Sequence, residues 1–108
     1  MAIKVVHQRK IRAENKEELG TLLAKLRTAA VSQTGYLCGE TLVALDDQDS
    51  HLVISNWQTL QDWRAWENNP ERRVLIAQID ILLVEPATVR VFIDASASLS
   101  WQSLAEGS

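Results

Sequence analysis

The chain has 108 residues, 46% of them apolar and 23% charged, with two prolines, a balance that fits one globular domain and excludes a fibre, a disordered tail or a second core. Eleven basic against fourteen acidic residues give a net charge of −3, with no basic cluster larger than Arg9-Lys10-x-Arg12, which argues against nucleic acid and anionic membrane as partners. No apolar run reaches membrane-span length, charges interrupt the first thirty residues where a secretory signal needs an apolar stretch, and Cys38 is the only cysteine, so the expectation is a cytoplasmic protein without an intrachain disulfide or a metal site.

Ile3 to Ile11 reads as a first strand, with Ile3, Val5, His7, Arg9 and Ile11 on one face. Asn15 followed by Glu18 has the spacing of a capping box, and Leu19, Leu22, Leu23, Leu26 and Ala30 recur at the helical period, so a helix is expected to run to about Gln33. Gly35 breaks it. Tyr36 to Leu45 is a second strand, joined through a turn at Asp46-Asp47-Gln48-Asp49-Ser50 to a third strand from His51 to Trp57. Thr59 with Asp62 marks the start of a second helix carrying Leu60, Trp63 and Trp66, and Asn69-Pro70 starts a third that runs to about Leu83. After Pro86, ATVRVFI is a fourth strand. The division expected is a domain over 1–93 and a tail over 94–108, in which Leu99, Trp101 and Leu104 either dock onto the body or a neighbouring subunit or belong to a frayed end.

This order predicts an α+β fold: a ferredoxin-like βαββαβ sandwich whose helices cover one face of a four-stranded antiparallel sheet. The second and third strands carry apolar residues on both faces, Leu37, Val43 and Leu45 against Tyr36, Cys38 and Leu42, and Val53 and Trp57 against Leu52 and Ile54. A helix-free face of that composition calls for a cover, and a second copy of the same sheet supplies one, so a homodimer is expected.

Three of the four tryptophans lie in Trp57-x5-Trp63-x2-Trp66. Together with the helix NWQTLQDWRAW, the preceding QTGYLCGETL and the strand order, this segment resembles the antibiotic biosynthesis monooxygenase superfamily of dimeric α/β-barrel proteins, over about residues 2 to 93. The resemblance implies the fold; the chemistry of that family ranges from cofactor-independent oxidation of anthrones and quinols to haem degradation and isomerisation. Haem degradation is rejected on the residues. Trp66 matches that branch's helical tryptophan, but Ile76 stands where it has its haem-ligating histidine, His7 and Gln8 stand at its first-strand asparagine, and no His, Cys, Met or Tyr follows Trp57.

The cofactor-independent branch needs only a base, donors for an oxyanion and a dry aromatic slot, because the deprotonated substrate itself reduces dioxygen. Candidates for each part are present. His7 and Arg9 share a strand face, where an imidazole near its useful pKa and a guanidinium meet one substrate anion. Asn56 joins them as a catalytic candidate, Gln8 and Tyr36 as donors towards substrate, and Trp57, Trp63 and Trp66 as walls for a flat ring. Where some oxygenase members have an asparagine before the strand-end tryptophan, this chain has Val53. The implied activity is a monooxygenase acting on a small aromatic or quinol-like molecule without cofactor or metal; the alternative is a non-catalytic small-molecule-binding or stress-associated dimer.

Each candidate also has a structural account. Trp63 and Trp66 serve equally as core plugs, His7 as a satisfied strand histidine, His51 and the Arg9-Lys10-x-Arg12 run as solvated groups, and Cys38 as a small apolar residue. Glu40 either faces solvent or is buried against Arg9 or Arg90.

Overall fold

The structure, a computed structural model, describes residues 1–97. It contains β1 (Ile3–Lys10), α1 (Lys16–Val31), β2 (Tyr36–Ala44), β3 (Asp47–Trp57), α2 (Leu60–Glu67), α3 (Pro70–Ile81) and β4 (Thr88–Ile93), with short 3-10 turns at Ala13–Asn15 and Ala95–Ala97. The strands form one antiparallel sheet in the order β2-β3-β1-β4, with the helices on one face, so the architecture is the expected ferredoxin-like βαββαβ arrangement. The tail residues Leu99, Trp101 and Leu104 lie outside the described residues.

The β1 sequence dictates its own two-sidedness. Ile3, Val5, His7 and Arg9 are buried under the helices, while Lys4, Gln8 and Lys10 are exposed on the other face. The pairing register carries this alternation across the sheet: Val5 opposite Ser55 and His7 opposite Val53 on β3, and Tyr36, Gly39 and Thr41 on the same face of β2. The opposite face carries Val6, Leu42, Leu52, Ile54 and Phe92 among Lys4, Gln8, Asn56 and Arg90, with Leu42 44% and Phe92 39% exposed. Glu40 is exposed and makes no ion pair among the described residues.

Two local expectations fail for identifiable reasons. The Asn15 side chain does not cap α1; its Nδ2 donates to the Leu82 carbonyl at 3.3 Å, tying the entry of α1 to the exit of α3. The hairpin turn is shorter than the acidic run suggested. Ala44 pairs with Asp47, and Asp47 to Ser50 extend β3 because the Asp49 carbonyl accepts from Ile11 N at 2.7 Å beyond the end of β1. The other helix starts follow the sequence: Thr59 Oγ1 accepts from Asp62 N at 3.1 Å, and Asn69 Oδ1 accepts from Glu71 N and Arg72 N with Pro70 in the first turn. Gly35, at φ 84°, makes the turn into β2, and a side chain there would collide with Asp62.

Candidate functional site

Three elements converge at one end of the helix layer. β1 delivers His7 and Arg9 from below, and α2, started by the Thr59 cap, turns Trp63 and Trp66 inwards because a three-residue step keeps both on one helical face. The Asn69 cap and Pro70 fix the first turn of α3, and with it the position of Arg72 above β1. Trp57 closes the end of β3, and the Tyr36 ring meets it edge-on at 5.4 Å between centroids. Glycine at position 39 leaves room for Tyr36, since a Cβ there would come within 2.6 Å of the phenol oxygen.

These side chains surround a slot of about 120 Å³ between the sheet and the helices, lined by His7, Arg9, Tyr36, Trp57, Trp63, Trp66 and Arg72. Trp63 is its organising ring. It stacks tilted on Trp57 at 5.8 Å, receives His7 edge-on at 5.7 Å, and carries the Arg72 guanidinium over its face at 5.1 Å. Arg72 donates from one terminal nitrogen to the Glu67 carbonyl at 3.4 Å and reaches His7 Nε2 with the other at 3.3 Å. A guanidinium only donates, so Nε2 accepts and the imidazole hydrogen is assigned to Nδ1. The Trp57 indole N–H donates to Ser55 Oγ at 3.0 Å.

The electrostatics follow from burying three basic groups together. His7 is pushed down from 6.5 to about 3, chiefly by burial and then by the charges of Arg9 and Arg72. It is therefore a neutral ring at physiological pH, and the expectation of a histidine poised near its useful pKa is corrected. Arg9 is lowered to about 10 by burial and by Arg72, with Asp80 opposing, and stays protonated. Burial also lowers Arg72, against the opposing charges of Glu67 and Asp80. Two buried donors, Arg9 Nε and Trp63 Nε1, have no acceptor among the described residues.

The structure thus brings together six of the residues singled out in the sequence and separates two. Gln8 is exposed on the opposite face of the sheet. Asn56 lies on that same face, where its Oδ1 accepts from Lys4 Nζ at 2.6 Å and its Nδ2 donates to the Cys38 carbonyl at 3.4 Å. Neither touches the slot, because one residue along a strand reverses the side chain's direction. Arg72 is the site residue that sequence reasoning missed. Its signal was the Asn69-Pro70 helix start, which sets the phase that buries Arg72 and exposes Arg73. Cys38 is exposed, and no group of three or more His, Cys, Asp or Glu side chains is placed to hold a metal ion among the described residues.

A family model described as antibiotic biosynthesis monooxygenase matches residues 2–78. No curated protein matches the chain. Among solved structures, a conserved protein from Methanosarcina mazei Go1 superposes with a TM-score of 0.81 at 13% identity, covering 85% of this chain and 91% of that one. A variant of SnoaB, a cofactor-independent oxygenase from Streptomyces nogalater, superposes at 0.79 and 15% identity, covering 91% and 96%. Rv0793 from Mycobacterium tuberculosis superposes at 0.78 and 17% identity, covering 86% and 94%. At these identities the likeness is one of fold.

Proposed function

This chain belongs to the antibiotic biosynthesis monooxygenase family, and from that premise we propose that it is a cofactor-independent monooxygenase of a small aromatic, quinol-like molecule held in the slot beneath the helices. The observation that carries the reading is the slot itself: aromatic side chains wall it, and an ionised arginine and a neutral imidazole form part of its lining. At about 120 Å³ it is close to the roughly 150 Å³ of an apolar cavity that accepts benzene, so a single ring is the size it fits.

The chemistry asked of the protein is to hold an electron-rich ring as its anion, dry and next to dioxygen. A guanidinium beside the ring favours the phenolate over the phenol, and the same charge adds to the burial that chiefly keeps His7 unprotonated. The phenolate passes one electron to dioxygen, and the resulting radical pair joins at a ring carbon bearing hydrogen. Protonation gives a hydroperoxide. Its O–O bond then breaks as the carbon loses its proton, so that one oxygen stays as the quinone carbonyl and the other leaves as water. His7 serves this scheme as a neutral ring whose Nε2 accepts from Arg72, and Arg9 as an anion stabiliser.

One observation favours the alternative, a small-molecule-binding dimer without turnover: with its pKa near 3 and its Nε2 lone pair engaged, His7 is no general base. An oxygen electrode with single-ring phenols and quinols separates the two readings. Uptake of one dioxygen per quinone formed, with no hydrogen peroxide released, supports the oxygenase, whereas ring binding without oxygen uptake supports the binding protein.

The proposal includes a cytoplasmic homodimer. The half-covered stripe of Val6, Leu42, Leu52, Ile54 and Phe92 on the outer sheet face supports pairing of two sheets back to back. Light scattering at micromolar concentration tests it, and a stable lone protomer overturns it. No helix among the described residues is long and apolar enough to cross a membrane.

A further inference from the structure

Larger hollows exist, about 1280 Å³ against α1 and α3 and about 530 Å³ between α1 and the β2–β3 hairpin. Neither collects buried ionisable groups. The aromatic slot does, and all of them are basic. Arg9 is 4% exposed and Arg72 8%, and neither has a carboxylate within ion-pair distance among the described residues. The nearest acids make no ion pair with them: Glu67, whose charge acts on Arg72, is paired with Arg64 at 3.2 Å, Asp80 is exposed, and Glu40, which also lines the slot, is exposed. His7 faces the same pair and is uncharged.

Folded proteins bury a charge with a partner, because an uncompensated one is strongly destabilising. The hydrogen-bond census points the same way. Both buried side-chain atoms lacking a partner among the described residues, Arg9 Nε and Trp63 Nε1, are donors belonging to side chains that line this slot. Two cations without an anion, and two donors without an acceptor, are complementary to one kind of group, an oxyanion.

We propose that Arg9 and Arg72 form a two-guanidinium receptor for the oxyanion of a single-ring aromatic acid, a carboxylate or phenolate carried on the ring, so that the ligand of this slot is bound already ionised. The inference rests on the reading of the slot as the ring-binding site, and deepens it by naming the charge of the ligand and assigning specificity to Arg72. The faces of Trp57, Trp63 and Trp66 select the ring, and the arginine pair selects its acid group.

The tryptophans lining the slot allow a direct test by fluorescence titration of the full chain with benzoate and with benzamide, which match in shape and differ in charge. Benzoate is expected to bind about tenfold or more tightly than benzamide, with the advantage shrinking as salt is added. In Arg72→Gln and Arg9→Gln the preference for benzoate over benzamide should fall to about twofold or less. If either variant fails to fold, the preference of the unaltered protein decides. 4-Nitrophenol, titrated below its solution pKa, distinguishes the sources of the oxyanion: appearance of the phenolate absorption band on binding shows that a phenol is ionised in the slot, and its absence together with tight benzoate binding restricts the receptor to carboxylates.

Equal affinity for benzoate and benzamide overturns the proposal. A charge preference without oxygen uptake on hydroxybenzoates overturns the oxygenase reading and leaves the receptor standing. Oxygen uptake that is indifferent to the charge of the ring does the reverse.

Discussion

The helix layer covers two buried clusters of opposite character. Beside α3 and the end of β1, Ile11, Leu19, Ile79 and Leu83 form an aliphatic cluster with Leu22, Leu23 and Leu26 packed against it. At the other end, Ile3, Val5, Trp57, Trp63 and Trp66 pack with buried His7, Arg9 and Arg72 close by. The first is made of aliphatic side chains that carry no polar group to satisfy. The second keeps two buried N–H donors without acceptors and two cations without counter-ions among the described residues. Stability alone would fill both ends with leucine, so the polar end is where this fold keeps groups that cost stability, which is what the proposed receptor requires.

That contrast predicts opposite responses to truncation. The largest effect belongs to the aliphatic end: Ile79→Ala, at a fully buried residue, is expected to lower unfolding free energy by about 2–5 kcal/mol in a urea titration. At the aromatic end, Arg72→Met removes a buried charge without an ion-pair partner among the described residues, and is expected to change stability less than Ile79→Ala does, while the preference for an anionic ring disappears. A large loss of stability in that variant would make Arg72 structural and remove the contrast.

The two ends also differ in their response to acid. Folded His7 takes its proton only near pH 3, whereas in the unfolded chain it does so near 6.5. As pH falls below 6.5 the unfolded state binds the proton first, so stability declines by up to about 1.4 kcal/mol per pH unit until about pH 3 and is unaffected by this group above 6.5. Urea midpoints at pH 7 and pH 5 measure the slope, and His7→Gln should remove it. Smaller effects test the placement of the walls. Thr59→Ala, which removes the cap that starts α2, should lower stability by about 1 kcal/mol. Asn56→Ala, on the far face of the sheet, should change it by about 0.5 kcal/mol or less and leave ring affinity as it was.

Much of the site was legible because strand and helix periods are local. The alternation Ile3, Val5, His7, Arg9 and the spacing of Trp63 and Trp66 each name one buried face, and the structure places those faces against each other. Asn56 was misread for lack of a register: next to Trp57 in sequence, it points the other way in space. Arg72 was missed because Arg72-Arg73 looks like one exposed basic pair, and only the phase of α3 against β1 buries the first and leaves the second in solvent.

The pattern of apolar periods, caps and turn residues by itself determined the element order, the fold and the residues that face the helices, since each depends on interactions between near neighbours in the chain. What the tertiary structure alone decided was the state of the site. The neutrality of His7, the pairing of Arg72 with it, and two guanidiniums without an ion-pair partner among the described residues all arise from groups up to 65 residues apart brought together out of water. Burial and charge there depend on every neighbour at once, and no local period encodes that sum.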